Sequence, residues 1–236
     1  MVDISIVLAT QNRAQHLRKL LENLKIALCG VSSELIVIVG DCTDNTEEVL
    51  KEFNIPFEFE RNLLGNGKHN WAELYNSGFA KSTGYWSMYA SDDIVFNPYC
   101  FLYALEELRN VDDSIAGGIF FYKNLGDQLN FGIDYTYGRK MLLNYGLVRT
   151  DYFHKVHGLD TSYAFYCADG DLCFKLYEDG KDFIPLRKCL VTHKHIYDKN
   201  KQAHYAYANS DIAHYKEKWI KYANIDESLN PRRVEL

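Results

Sequence analysis

The chain has 236 residues, 47% hydrophobic and 25% charged, an ordinary globular composition with enough length for a substantial core. Its formal net charge of -6 argues against nucleic acid or an anionic membrane as the main partner, since both want a basic face. The six cysteines form no C-x-x-C, which disfavours a zinc ribbon or dithiol redox site, and no apolar run approaches the roughly 18 residues of a membrane-spanning helix. With no signal peptide in view, a reducing, cytoplasmic location is the expectation.

The run ISIVLAT at 4–10 is nearly continuous in apolar residues, as in a strand buried on both faces. Leu17, Leu20, Leu21, Leu24 and Leu28 then recur on one face of a helix. ELIVIVG at 34–40 is a second buried strand, and TDNTEEVLKEF follows as a helix capped by Asp44 or Thr46, with Glu47 and Glu48 in its first turn. FEFE at 57–60 is a short third strand, HNWAELYNSGFAKS a helix and YWSMYA a fourth strand. PYCFLYALEELRN starts a helix near Pro98, with Phe101, Leu102, Leu105 and Leu108 on one face.

This alternation predicts an α/β fold, a mostly parallel Rossmann-like sheet with helices on both sides. Ligands in such folds bind at the carboxyl ends of the strands. Three predicted strands end in polar residues: Thr10 and Asn12, Gly40 and Asp41, and Ser91 to Asp93. All three ends meet on one rim, which turns the adjacent carboxylates Asp92 and Asp93 from a plain turn into a candidate metal and phosphate site.

The second half is less regular. IAGGIFFY at 115–122 reads as a strand, and KNLGDQLNFGIDYTYG as an excursion rich in turn residues. LVRTDYFHKVHGLD, ADGDLCFKLYEDG and KCLVTHKH read as a strand end, two helices and a strand, and HYAYANSDIAHYKEKWIKYAN as one C-terminal helix. No linker interrupts the chain. The expectation is a single domain over 1–236, with 1–110 binding nucleotide and 111–236 facing the acceptor.

Six segments in order, SIVLATQNR, LIVIVGDCTDNTEEVLKEF, NLLGNGKHNWAELYNSGFAKSTGYW, ASDDIVFNP, RTDYFHKVHGLD and ADGDLCFKLYEDG, resemble the inverting family 2 glycosyltransferases of the GT-A fold. The resemblance covers roughly residues 3–220. It implies that Thr10, Asn12 and Arg13 line the nucleotide pocket and that Asp41 binds the base, often uracil. It implies that Asp92 faces the ribose or phosphates and that Asp93 binds a divalent cation, Mn or Mg. Asp169 matches the acid of the E-D-x-D-L motif, the catalytic base, and His193 or His195 stands where some relatives place a further metal ligand. Two positions depart from the pattern, Ala90 for the first acid of D-x-D-D and Ala168 for the Glu before the base. The partners implied are a nucleotide-sugar donor, with UDP the expected nucleotide, and a glycan or other hydroxyl acceptor.

The chemistry needs these residue types. A departing nucleoside diphosphate gathers negative charge, which a cation held by hard oxygen ligands offsets as a Lewis acid. An acceptor hydroxyl must lose its proton, and a carboxylate can take it. No G-x-S-x-G supplies a covalent nucleophile. GNGKHN at 65–70 matches neither a P-loop nor a dinucleotide fingerprint, so a tight turn into a helix is favoured there, with Lys68 as a secondary nucleotide contact.

Asp171 reads as a helix-starting residue, and Asp211, Tyr215 and Trp219 as contacts holding the C-terminal helix to the sheet. His193 and His195 point to opposite faces if their strand continues. Two further functions compete. A nucleotidyltransferase would want a glycine-rich loop after the first strand, and ATQNRAQ has no glycine. A non-catalytic sugar-nucleotide or glycan-binding module would account for Ala90 and Ala168.

Overall fold

The computed structural model describes residues 2–59, 70–223 and 232–236. The first half alternates as the periodicity predicts: β1 (Ile4–Thr10), α1 (Ala14–Ala27), β2 (Ser33–Val39), α2 (Thr46–Glu52), β3 (Phe57–Phe59), α3 (Trp71–Phe79), β4 (Trp86–Ala90), β5 (Ile94–Phe96) and α4 (Cys100–Leu108). The second half adds β6 (Ile115–Asn124), β7 (Gly132–Tyr135), a short 3-10 turn, β8 (Gly146–Arg149), α5 (Thr150–Lys155), α6 (Ala168–Glu178), β9 (Asp182–His193), α7 (Lys199–Tyr205), α8 (Ala208–Ala223) and β10 (Arg232–Glu235).

The sheet runs β10-β7-β6-β8-β4-β1-β2-β3. Its β4-β1-β2-β3 portion is parallel, and β4 and β1 at its centre are nearly continuous apolar runs buried on both faces. Alternate residues of β1 feed two cores. Ile4, Ile6 and Leu8 pack with the leucine face of α1 and with Phe101 of α4. Val7 packs with Tyr75 and Phe79 of α3 and with Leu172 and Phe174 of α6. Helices therefore cover both faces, while β8, β6, β7 and β10 extend the sheet with antiparallel pairs. β9 runs parallel to β6 and antiparallel to β5. β6 can approach β8 closely because Gly117 has no side chain: a Cβ there would sit 1.9 Å from the Leu147 carbonyl oxygen.

Four details differ from the periodicity. β5, three residues long, follows the acid pair directly, because its partner is β9 about a hundred residues on. The face of α4 that is fully buried is Cys100, Phe101, Ala104 and Leu108, whereas Leu102 and Leu105 are half-buried. The excursion after β6 contains β7, whose partner is β10. The expected single C-terminal helix is two, α7 and α8, separated at Ala206 and Tyr207. Residue 60 of the third predicted strand lies outside the described residues.

One buried charge ties α6 to α8. Asp171, in the first turn of α6, is fully buried. Its Oδ1 accepts from Trp219 Nε1 at 2.9 Å and pairs with Lys218 Nζ at 2.7 Å, while Lys175 Nζ lies 3.6 Å from Oδ2. It starts a helix as the sequence predicts, but it also anchors α8. Removing one partner of such a cluster strands the others. Asp171→Ala should cost about 3 kcal/mol of unfolding free energy, and Asp171→Asn less because it keeps an acceptor for Trp219. Urea denaturation of the two variants checks this.

Candidate active site

The parallel register assembles the site. Leu8 of β1 lies opposite Ala90 of β4, so two residues further on Thr10 meets Asp92. Thr10 Oγ1 donates to Asp92 Oδ2 at 2.6 Å. Arg13, just before α1, reaches back across this edge. Its Nη1 donates to Asp92 Oδ1 at 2.9 Å and lies 3.5 Å from Asp93 Oδ2, while its Nε donates to Asp198 Oδ2 at 2.8 Å. Asp92 and Asp93 are only 2% and 7% exposed, so these partners are what makes two adjacent carboxylates tolerable at this depth.

The two acids differ electrostatically. Burial pushes the Asp92 carboxyl up to about 6, against the pull of Arg13 and Thr10. Burial also pushes Asp93 up, but His193, the Ser91 hydroxyl and Arg13 together outweigh it and hold the carboxyl well below its ordinary range. Ser91 Oγ donates to Asp93 Oδ1 at 2.6 Å. The guanidinium of Arg13 loses some proton affinity to burial and regains more from Asp198 and Asp92, ending above its usual value.

His193 ends β9 between β5 and β6. Asn124 Nδ2 donates to Asp127 at 2.8 Å, which turns Asn124 Oδ1 toward His193 Nδ1 at 2.9 Å. Nδ1 therefore carries the proton, and Nε2 faces Asp93 Oδ2 at 3.4 Å. A cation between Nε2 and the carboxylate would be held by both groups. Cis ligands of a small octahedral cation lie about 3 Å apart, so the spacing of this pair suits two ligands of one divalent cation. Among the described residues no set of three or more His, Cys, Asp and Glu converges as a protein-only metal site. His195 does not point away from His193. The strand stops at His193, His195 takes φ 49°, and the two rings stack with centroids 5.5 Å apart.

These groups open into a cleft of about 460 Å³, a size suited to a small-molecule ligand. Thr10, Arg13, Asp92, Asp93, His193 and His195 line it, together with Gly40 at the end of β2. Trp71, Tyr75 and Tyr89 form an aromatic cluster in the wall, with Trp71 4.6 Å from Tyr75 and 5.3 Å from Tyr89 between centroids. Tyr122, Asn124, Asn144 and Tyr145 add polar lining. Asp169 lines the same cleft from the first turn of α6, next to Phe165, Tyr166 and Cys167. Burial raises the Asp169 carboxyl above its ordinary value, and the 2.8 Å hydrogen bond from the Gly170 N–H offsets this only in part.

Two predicted residues stand elsewhere. Asn12, at φ 54°, turns its side chain to the loop after β2, where Oδ1 accepts from Thr43 N at 2.7 Å. It stitches two strand-end loops and is absent from the cleft lining. Asp41 is exposed, and its backbone carbonyl accepts from Gln11 Nε2 at 3.1 Å. Gly40, not Asp41, lines the cleft. Lys68 lies outside the described residues. Asn70, the last residue of the glycine-rich stretch, caps α3 by accepting from Glu73 N at 3.2 Å.

The periodicity missed the contribution of the C-terminal segment. Asp198 caps α7, accepting from Lys201 N at 2.8 Å, and at the same time pairs with Arg13. α7 then sets Lys201 and His204 into the cleft lining, with His204 stacked on Phe165 at 3.7 Å. An Asp before a helix was a readable cap signal, but its pairing with a residue 185 positions away was not.

The family described as "Glycosyl transferase family 2" matches residues 5–170. No curated protein matches the chain. Among solved structures, glucosyl-3-phosphoglycerate synthase of Mycobacterium tuberculosis, in complex with Mn2+, UDP and phosphoglyceric acid, superposes with a TM-score of 0.67 at 15% identity, covering 92% of this chain and 78% of its own. The mannosyltransferase PcManGT of Pyrobaculum calidifontis, in complex with GDP-Man and Mn2+, has a TM-score of 0.67 at 13% identity, covering 92% and 64%. TarS of S. aureus has a TM-score of 0.62 at 14% identity, covering 94% and 43%. The chain thus spans between about two fifths and two thirds of the first such structures. No described helix is long and apolar enough to cross a membrane.

The buried charges give a test with a defined sign. Asp92 is raised in the fold, so the folded protein holds its proton more tightly than the unfolded chain, and stability from this group falls as pH rises through about 6. Arg13→Ala removes the countercharge, so the melting-temperature gap between wild type and variant should be wider at pH 8 than at pH 5. A pH series of thermal melts measures it. Strand-end acids, a strand-end arginine and a GT-A-like sheet agree with the sequence match, and the chain belongs to glycosyl transferase family 2.

Proposed function

We propose that the protein transfers a sugar from a nucleoside diphosphate sugar, with UDP the expected nucleotide, to an acceptor hydroxyl with inversion at the anomeric carbon. The observation that carries this reading is that Asp169, a carboxylate of raised proton affinity, lines one cleft with the Thr10–Arg13–Asp92–Asp93 cluster. Residues 1–110 supply most of the nucleotide side and 111–236 the base and acceptor side. The complexes of the two structural neighbours with Mn2+ and a guanine or uridine nucleotide support the donor class.

In this reading Asp93 and His193 hold a divalent cation, which when bound offsets charge on the departing diphosphate. Asp92 with Thr10 orients the ribose or phosphates. Arg13 meets the diphosphate's charge at the same edge. Asn12 and Asp41 act on the nucleotide by shaping the loops that flank it, with Asp41 the candidate for the base. Lys68 remains a candidate contact by sequence. Asp169 takes the acceptor's proton as the oxygen attacks from the face opposite the leaving group. A base with raised proton affinity pulls harder on that proton, provided it is ionised.

Screening nucleotide sugars and acceptors, with nucleoside diphosphate as the product measured, tests the class. Pyrophosphate instead would indicate nucleotidyl transfer, and binding without turnover would indicate a binding module. Asp169→Asn should lower turnover by about 10²- to 10⁴-fold while leaving nucleotide affinity unchanged. The acid limb of the wild-type kcat/KM profile should lie above the ordinary carboxylate range, because protonating Asp169 removes the base. Retained turnover in the Asn variant would refute the assignment.

Ala90 stands where many relatives carry a third acid, and its carbonyl instead accepts from the buried Tyr75 hydroxyl. With two protein ligands, the cation depends on phosphate oxygens. Calorimetry should find weak Mn binding to the protein alone and much tighter binding with UDP present; tight binding to the nucleotide-free protein would contradict this.

A further inference from the structure

The segment between α5 and α6 carries Phe165, Tyr166 and Cys167 into the cleft and leads directly to Asp169. It is irregular, so its peptide groups find no partners in a helix or strand of their own. Three successive N–H groups of it converge on one side chain. Asp211, in the first turn of α8, accepts from Ala164 N at 3.1 Å on Oδ1 and from Phe165 N at 2.9 Å and Tyr166 N at 2.8 Å on Oδ2. Asp211 is 4% exposed, so the three charge-assisted bonds replace water at this carboxylate.

We propose that Asp211 is a positioning residue for the transfer reaction, holding through three backbone N–H groups the segment that delivers Asp169 to the cleft. The proposal rests on the role given to Asp169 above. α8 does not need Asp211 to be held in place, because Asp171 anchors it through Lys218 and Trp219. One turn along α8, Tyr215 touches the other side of the same junction. A Cβ on Gly170, the residue after Asp169, would sit 2.8 Å from Tyr215 Oη, and that hydroxyl is itself held by Thr136 at 2.7 Å. Asp211 and Tyr215 are four apart on one helical face, so α8 grips the chain on both sides of Asp169.

The carbonyls of the segment are held from the opposite direction. Asn70 Nδ2 donates to Thr161 O and Tyr163 O, each at 3.0 Å, and Trp71 N donates to Ala164 O at 3.3 Å. Fixed along both rows of peptide groups, the chain enters α6 through Cys167 at φ 69°, a left-handed conformation that costs a non-glycine residue energy and persists when its surroundings over-determine it. Arg13, Asp92 and Asp93 share no hydrogen bond with this segment among the described residues, and its tie toward that end is the stacking of Phe165 on His204 of α7, so loosening it bears first on Asp169.

Asp211→Asn keeps one oxygen and loses either one or two of the three bonds; Asp211→Ala loses all three. With the donor selected by the nucleotide-sugar screen, and rates normalised to nucleotide-binding sites, kcat should fall about 10-fold in Asn and about 100-fold in Ala, the scale on which small misplacements of a reacting group act. KM for the donor should stay within about two-fold, since no hydrogen bond joins the segment to Arg13, Asp92 or Asp93. A purely structural role would lower the folded fraction and leave kcat per site unchanged, and that result overturns the proposal. An arm that needs no substrate is hydrogen exchange of the amides of 164–166. Their protection should drop in Asp211→Asn while that of β1 is kept, and unchanged protection also overturns the clamp. Failure of the base assignment reads differently: Asp169→Asn would keep turnover while the Asp211 variants still lost it.

Discussion

The site depends on neutralising two adjacent buried carboxylates at the carboxyl edge of a parallel sheet. Isolated, Asp92 and Asp93 would repel one another in a poorly solvated place, and one would bind a proton. The guanidinium of Arg13, forked between Asp92, Asp93 and Asp198, supplies the countercharge, and the Thr10 and Ser91 hydroxyls donate to one further oxygen of each acid. The sheet register makes this arrangement available: Thr10 and Asp92 meet because Leu8 and Ala90 are paired two residues earlier. Arg13 also recruits the far end of the chain, since Asp198 both accepts from Arg13 and caps the helix that sets Lys201 and His204 over the cleft.

A second constraint governs the placement of Asp169. Asp169 sits at the start of a helix, but the approach to that helix is irregular chain held by α3 on one side and α8 on the other. The same two helices pack with α6 against one face of the sheet, through Phe79, Phe174, Tyr215 and Trp219. The apolar core and the polar clamps thus act on the same elements. Packing fixes where α8 lies, and its Asp211 and Tyr215 convert that placement into a defined path for a few cleft residues. The acids near Asp169 divide along these lines: Asp171 faces the core and Asp169 the cleft, although they are two residues apart.

Most of the first half was legible because its signals are periodic and local. A seven-residue apolar run followed by leucines at helical spacing reads the same way whatever surrounds it. Two short strands, β5 and β10, were not legible. β5 and β10 are three and four residues long, and they exist because distant strands offer partners. The break between α7 and α8 was hidden because its residues, Ala206 and Tyr207, carry no glycine or proline mark. His193 and His195 alternate in sequence as strand residues would, yet the strand stops at His193 and the backbone turn at His195 returns its ring to the same side.

The sequence by itself determined the alternating fold, the rim where polar strand ends gather, and the candidates Thr10, Arg13, Asp92, Asp93, Asp169 and His193, because hydrophobic period and ordered motifs are local properties. Only the tertiary structure separated residues that aim into the cleft from those that build its walls, as with Asn12 stitching loops and Gly40 lining where Asp41 does not. It alone revealed what Asp198 and Asp211 hold, since a lone aspartate in a helical stretch looks the same in sequence whether it caps its own helix or holds backbone dozens of residues away. That difference is settled by which groups are brought within hydrogen-bonding distance once the two cores have packed.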